Sequence, residues 1–170
     1  MKNPDPASDT HTPQYQMAVD SISTATLDEC SNHCFGCSPL NPQGLHLTFT
    51  IDISTPGSPT ATAQVQLTRM HEGPPGHIHG GIIATLMDEV MSKLNRPLNA
   101  VAMTRHMEID YLRPSPLNQP LTLTSHHLHR KGRKIFHQAE LRNAEGQILA
   151  QAKGLFIVID EKHLAPKDRT

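Results

Sequence analysis

From Leu45 to Ile53 the chain reads LHLTFTIDI, with Leu45, Leu47, Phe49, Ile51 and Ile53 alternating with His and polar residues. A period of two is the signature of a strand buried on one face. A weaker strand is predicted over Ala61 to Leu67, followed by Gly73-Pro74-Pro75-Gly76, which enforces an irregular loop. Between Gly80 and Leu94 the period changes. Ile83, Leu86, Met87, Val90, Met91 and Leu94 recur at spacings of three and four without an intervening Pro, which predicts a helix with one broad apolar face. After Arg96-Pro97 come four strand-like segments: Ala100 to Leu112, Leu121 to His129, Ile135 to Asn143 and Ile148 to Ile159. Two strands, one helix and four strands predict an α+β domain in which a long antiparallel sheet wraps around a single helix.

The ends lack such periodicity. Residues 1–22, rich in Pro, Thr, Asp and Gln, are expected to form a flexible tail, residues 23–160 the folded domain and residues 161–170 a C-terminal tail. A short helix or turn is expected around Thr24 to His33. No stretch approaches the roughly 18 apolar residues of a membrane span, and the polar start has no secretory character. Fifteen Lys and Arg against 16 Asp and Glu argue against nucleic acid or an anionic membrane as the main partner. With 4% aromatic residues and no Trp, base-stacking platforms are not expected. Three Cys, two of them only three positions apart, suit a reducing compartment and a cytoplasmic protein.

The densest chemical signal is His77-Ile78-His79-Gly80-Gly81 at the start of the helix, with Asp88 and Glu89 farther along it. First-turn N–H groups have no acceptor within the helix, and paired glycines leave them unobstructed, so a carbonyl oxygen can dock there. Charge developing on that oxygen would be stabilised by the donors and the helix dipole, an arrangement suited to acyl transfer. Asp88 is a poor mid-helix residue among apolar neighbours, whereas Ser92, four positions on, shares its face and is expected to orient the carboxylate or a water. Glu89 points about 100° away. Gly80 and Asp88 lie roughly 12 Å apart along the helix axis, so one helix cannot bring both to one carbonyl. A second copy running antiparallel across a two-fold axis is therefore expected, with two equivalent sites per dimer.

The string HGGIIATLMDEVMSK, His79 to Lys93, resembles the H-G-G-x-x-x-x-L-x-D signature of PaaI-like acyl-CoA thioesterases of the hotdog superfamily. Cys34-Phe35-Gly36-Cys37-Ser38-Pro39-Leu40-Asn41-Pro42-Gln43-Gly44-Leu45 is similar to an N-terminal motif of one branch, and Ile109-Asp110-Tyr111-Leu112-Arg113-Pro114 to a strand-end motif. The resemblance implies a hotdog fold that hydrolyses acyl-CoA without a metal or redox cofactor. Asp88 would act as general base or nucleophile, Gly81 with Gly80 would polarise the thioester carbonyl, His79 would stand at the helix entrance, and Thr104 would place a hydroxyl near the water. Gly73 stands where several relatives carry Asn or Gln six positions before the motif His. His77 or His79 is then expected to compensate, or the oxyanion contact is made by backbone only.

Other residues carry weaker signals. Arg113 and the basic turn of Arg130, Lys131 and Arg133 are candidates for the phosphates of coenzyme A. Met87, Met91, Met103 and Met107 are candidate acyl-chain residues. Cys30, His33, Cys34 and Cys37 lack the second well-spaced pair of a zinc knuckle, so Cys34 and Cys37 are read as buried side chains of a tight turn, with Phe35 anchoring it on the sheet. His126, His127 and His129 are read as surface positions. Two rival functions stand beside hydrolysis: a non-catalytic acyl-CoA binding protein, and a hydratase or dehydratase using the spacing of Asp28 and His33. A homodimer, or a dimer of dimers, is expected.

Overall fold

The computed structural model describes residues 33–159. The expected tails, 1–22 and 161–170, and the helix or turn from Thr24 lie outside these residues, apart from its last residue, His33. Six strands form one antiparallel sheet: β1 (Thr50–Asp52), β2 (Thr60–Val65), β3 (Ala102–Tyr111), β4 (Leu121–Lys131), β5 (Lys134–Arg142) and β6 (Ile148–Val158). Their order across the sheet is β1-β2-β4-β5-β6-β3, which leaves β1 and β3 at the two edges. Helix α1 (Gly80–Ser92) packs across the concave face, touching β2 through β6.

The helix forms where its period predicts. Ile83, Leu86, Met87, Val90 and Met91 are buried, and they meet Ala63, Leu123, Ile135, Leu141, Ala152 and Phe156 in one continuous core. Burying side chains of this size stabilises the domain by about 1.5–3 kcal/mol each, far more than helix propensity supplies. Alternation is equally plain in β5, where Ile135, His137, Ala139 and Leu141 are buried and the residues between them are not.

The first strand is shorter than its pattern. Only Thr50–Asp52 pairs with β2, because the N–H groups of Leu45 and Leu47 are used by the carbonyls of Phe35 and Gly36, and His46 turns the backbone into the left-handed region at φ 50°. The alternating apolar residues thus pack Leu47 under the 34–38 turn rather than extend the sheet. Phe35 does not anchor that turn either, since it is 45% exposed.

Besides a register shift between β5 and β6 at Leu141 and Arg142, two bulges interrupt the ladders. In β3 the register shifts between Thr104 and His106, and in β4 between His127 and His129. Each inserts one residue, Arg105 or Leu128, so the side chains beyond it change face.

Candidate active site

His79 caps α1. Its backbone is extended at φ −62° and ψ 135°, and its ring Nδ1 accepts the Gly81 N–H at 2.9 Å. One of the first-turn donors foreseen for a substrate carbonyl is therefore occupied by the protein's own imidazole in this structure. Tyr111, at the end of β3, donates its hydroxyl to the Gly80 carbonyl at 3.1 Å and so fixes the helix entrance to the sheet edge. Tyr111 stands in a recognised motif, yet only the register of β3 shows what its hydroxyl reaches.

Gly73 is required by close approach. Its N–H donates to the His77 carbonyl, and a Cβ added there would stand 2.8 Å from His79 Cα, closer than atoms in contact tolerate. The chain that carries His79 runs where a side chain at position 73 would stand. His77 Nδ1 is paired with the Pro75 carbonyl at 2.9 Å, so this ring braces its own loop.

Two turns along α1, the Thr104 hydroxyl donates to Asp88 Oδ1 at 2.6 Å. This charge-assisted bond is short, and it holds one carboxylate oxygen while leaving the other for a second partner. The bulge makes it: Met107 and Ile109 face the helix, and strict alternation from them would turn Thr104 outward, whereas the extra residue Arg105 turns it inward opposite Phe156. Ser92 does not join the pair. Its hydroxyl returns to the Glu89 carbonyl at 2.8 Å, the local bond that Ser commonly makes in a helix.

The helix lies antiparallel to β3, with Gly80 beside Tyr111 and Asp88 beside Thr104. Within one chain, the capped helix start and the carboxylate thus occupy opposite ends of an edge strand. The basic residues divide in the same way. Arg113 donates to the Ile148 carbonyl at one end of β6, whereas Arg133 donates to Val158 and Arg130 to Leu98 at the other. Lys131, the last residue of β4, belongs with them at that turn. Ten strand positions, roughly 33 Å, separate Ile148 from Val158, so one chain cannot apply both to the same phosphates. Met87 and Met91 are fully buried and Met107 packs against the core, but Met103 is 57% exposed on the other face and is no part of that cluster. An open depression of about 220 Å³ lined by Glu108, Asp110, Glu140 and Lys153 also belongs to the sheet away from the Asp88 pair.

One of the three β4 histidines is not a surface position. His127 faces inward, with its Nδ1 3.3 Å from Nδ1 of the fully buried His137, whose Nε2 meets Asn95 Oδ1 at 3.1 Å. Burial, with His127 nearby, pushes His137 down to about 3.

Residues 75–150, which carry the helix, the Asp88 pair and strands β3 to β5, match the thioesterase superfamily. Over that stretch the chain is similar to this superfamily. Its antiparallel sheet wrapped on one helix is the hotdog fold, and the likeness extends to the PaaI-like acyl-CoA thioesterases. Acyl-coenzyme A thioesterase THEM4 of Xenopus laevis is 36% identical over 87 residues, covering 51% of this chain and 39% of that protein. Acyl-coenzyme A thioesterase 13 of Homo sapiens is 28% identical over 108 residues, covering 62% and 76%. A crystal structure of a thioesterase superfamily protein superimposes with a TM-score of 0.65 at 34% identity, covering 71% of this chain and 60% of that one. The chain thus spans well under half the length of the THEM4 relatives that it matches. No helix among the described residues is long and apolar enough to cross a membrane.

Proposed function

We propose that the protein is an acyl-CoA thioesterase whose site is completed by a second copy of the chain. The observation that carries this reading is the Asp88 carboxylate, held at one oxygen by Thr104 on a partly buried helix face. The other oxygen accepts a proton from water. The hydroxide so formed attacks the thioester carbonyl, the C–S bond breaks, and the proton passes to the departing coenzyme A thiolate. Direct attack by Asp88, with water then cleaving the anhydride, uses the same groups. The donors for the carbonyl oxygen are the Gly80 and Gly81 N–H groups, Gly81 becoming available as the His79 ring swings away.

Those donors come from the partner. β3 is an edge strand, and a two-fold axis near its middle pairs it with its own copy while bringing the helix start of one chain to the carboxylate of the other. The same operation carries Arg113 of one chain toward the Arg130, Lys131 and Arg133 turn of the other, which assembles one basic surface for coenzyme A phosphates. The relatives named acyl-coenzyme A thioesterase support this substrate class, and a cytoplasmic setting suits it. The occupied Gly81 donor favours the second reading, an acyl-CoA binding protein without hydrolysis.

The test is thiol release from short, long and aromatic acyl-CoA esters by wild type and Asp88→Asn, with the oligomeric state followed in parallel. Saturable hydrolysis that falls at least a hundredfold in a folded, still dimeric variant is the expected result. Binding without turnover on any ester transfers the assignment to the second reading.

A further inference from the structure

Glu89, one residue past Asp88, points about 100° away from it around α1 and meets the Cys34–Cys37 turn. Cys34 Sγ stands 3.4 Å from Glu89 Oε1, and Lys93 Nζ lies 3.0 Å from both Cys37 Sγ and Glu89 Oε2. The turn is one helical loop closed by the Ser38 N–H on the Cys34 carbonyl at 3.1 Å, so both sulfurs project toward the helix. Gly36 sits flat on the carboxylate, since a Cβ there would overlap Glu89, and no larger residue would allow this approach.

We propose that Cys34, Cys37 and Glu89 bind one soft divalent cation, zinc by preference, and that this ion pins the 34–38 turn to helix α1. The three donor atoms all lie within 4.8 Å of one another, inside the span of one coordination sphere. A tetrahedral zinc with its usual S and O bond lengths sets a sulfur and a carboxylate oxygen about 3.5 Å apart, close to the Cys34–Glu89 distance. Two thiolates with one carboxylate form a donor set suited to zinc rather than to magnesium or calcium.

Charge also balances. Before binding, the cluster holds the Glu89 anion and the Lys93 cation with two thiols. Binding of the dication displaces one proton from each thiol, so the sum remains zero once Lys93 is counted. Burial pushes the Cys34 thiol up, and the bound cation would supply the charge that removes its proton. Lys93, whose Nζ lies over the Phe49 ring at 5.2 Å from its centroid, stays outside the coordination sphere as a hydrogen-bond donor to Cys37. Among the described residues the set has three donors. The pattern of Cys30, His33, Cys34 and Cys37 gives no sign of this set, because Glu89 is 52 positions beyond Cys37.

The test uses the full chain, reduced and purified without chelator, together with a Cys30→Ala background in which only this pair can supply thiolate. Zinc measured by elemental analysis should approach one equivalent per chain. Titration of the apoprotein with cobalt(II) should give thiolate-to-metal charge-transfer absorption and tetrahedral visible bands. Cys34→Ser and Cys37→Ser should each weaken cobalt binding at least a hundredfold, and Glu89→Gln at least tenfold, with far-UV circular dichroism checking the fold. Absence of bound zinc together with a cobalt spectrum lacking charge transfer overturns the site. So does a spectrum that survives either serine substitution, or one that Glu89→Gln leaves untouched.

Discussion

Thr104 Oγ1 donates to Asp88 Oδ1 at 2.6 Å across the gap between an edge strand and the central helix, and it does so because β3 carries one extra residue at Arg105. A regular strand would turn this hydroxyl away from the helix. The bulge thus brings a donor to one oxygen of the carboxylate.

Thr104→Val keeps the volume and removes the donor. A hydrogen bond to a charged group contributes about 1.5–3 kcal/mol, so kcat for acyl-CoA hydrolysis is expected to fall roughly tenfold to a hundredfold. KM should change little, and a steady-state comparison with wild type measures both. Unchanged kcat would reduce Thr104 to a packing residue.

His79→Ala removes the acceptor of the Gly81 N–H. Loss of an N-cap side chain costs about 1 kcal/mol, to be read as a lower urea midpoint at unchanged slope. His79→Asn, which can cap, should recover most of that stability. If Ala and Asn are equally stable, the ring does not cap the helix.

Gly73→Ala forces a Cβ against His79 Cα. The expected cost is about 1–3 kcal/mol, by overpacking, seen in urea unfolding. Gly73→Asn, which places a side-chain donor at this position, should be destabilised at least as much and gain no activity. A stable and faster Asn variant would show that the loop has room to shift.

His137 is held neutral by burial, then by the proximity of His127, with its folded pKa lowered from about 6.5 to about 3. Asn95 Oδ1 and His127 are the polar partners it meets, and Phe156 covers its ring. Between pH 3 and 6.5 the unfolded chain binds the proton that the folded chain refuses, so stability rises with pH through this window and levels off above it. The slope from this group approaches about 1.4 kcal/mol per pH unit. Urea unfolding at intervals from pH 4 to 8 should show it, and His137→Gln should flatten it. An identical slope in the variant would assign the effect to other groups.

The number of strands, the single helix and its position were legible because β5 and α1 bury one face each, and a buried face must repeat at the period of its backbone. The Leu45 to Ile53 pattern misled for a related reason. Alternation reports which side chains are buried, not what their N–H groups bond, and at Leu45 and Leu47 those bonds go to the 34–38 turn. The histidine, the paired glycines and Asp88 stood out in the sequence as candidates because each is costly or special where it stands in a helix.

The sequence by itself determined the fold class, the helix with its glycine start, and the roughly 12 Å that separates Gly80 from Asp88, since all three follow from period and rise along one segment. Only the tertiary structure decided that Thr104 rather than Ser92 holds Asp88, that Gly73 is filled by His79, that Arg113 lies a strand's length from the basic turn, and that Glu89 reaches Cys34. These relationships join residues far apart along the chain through a bulge, a loop crossing and a sheet register. A one-residue shift in any of them reverses a side chain's face while leaving the local pattern almost unchanged.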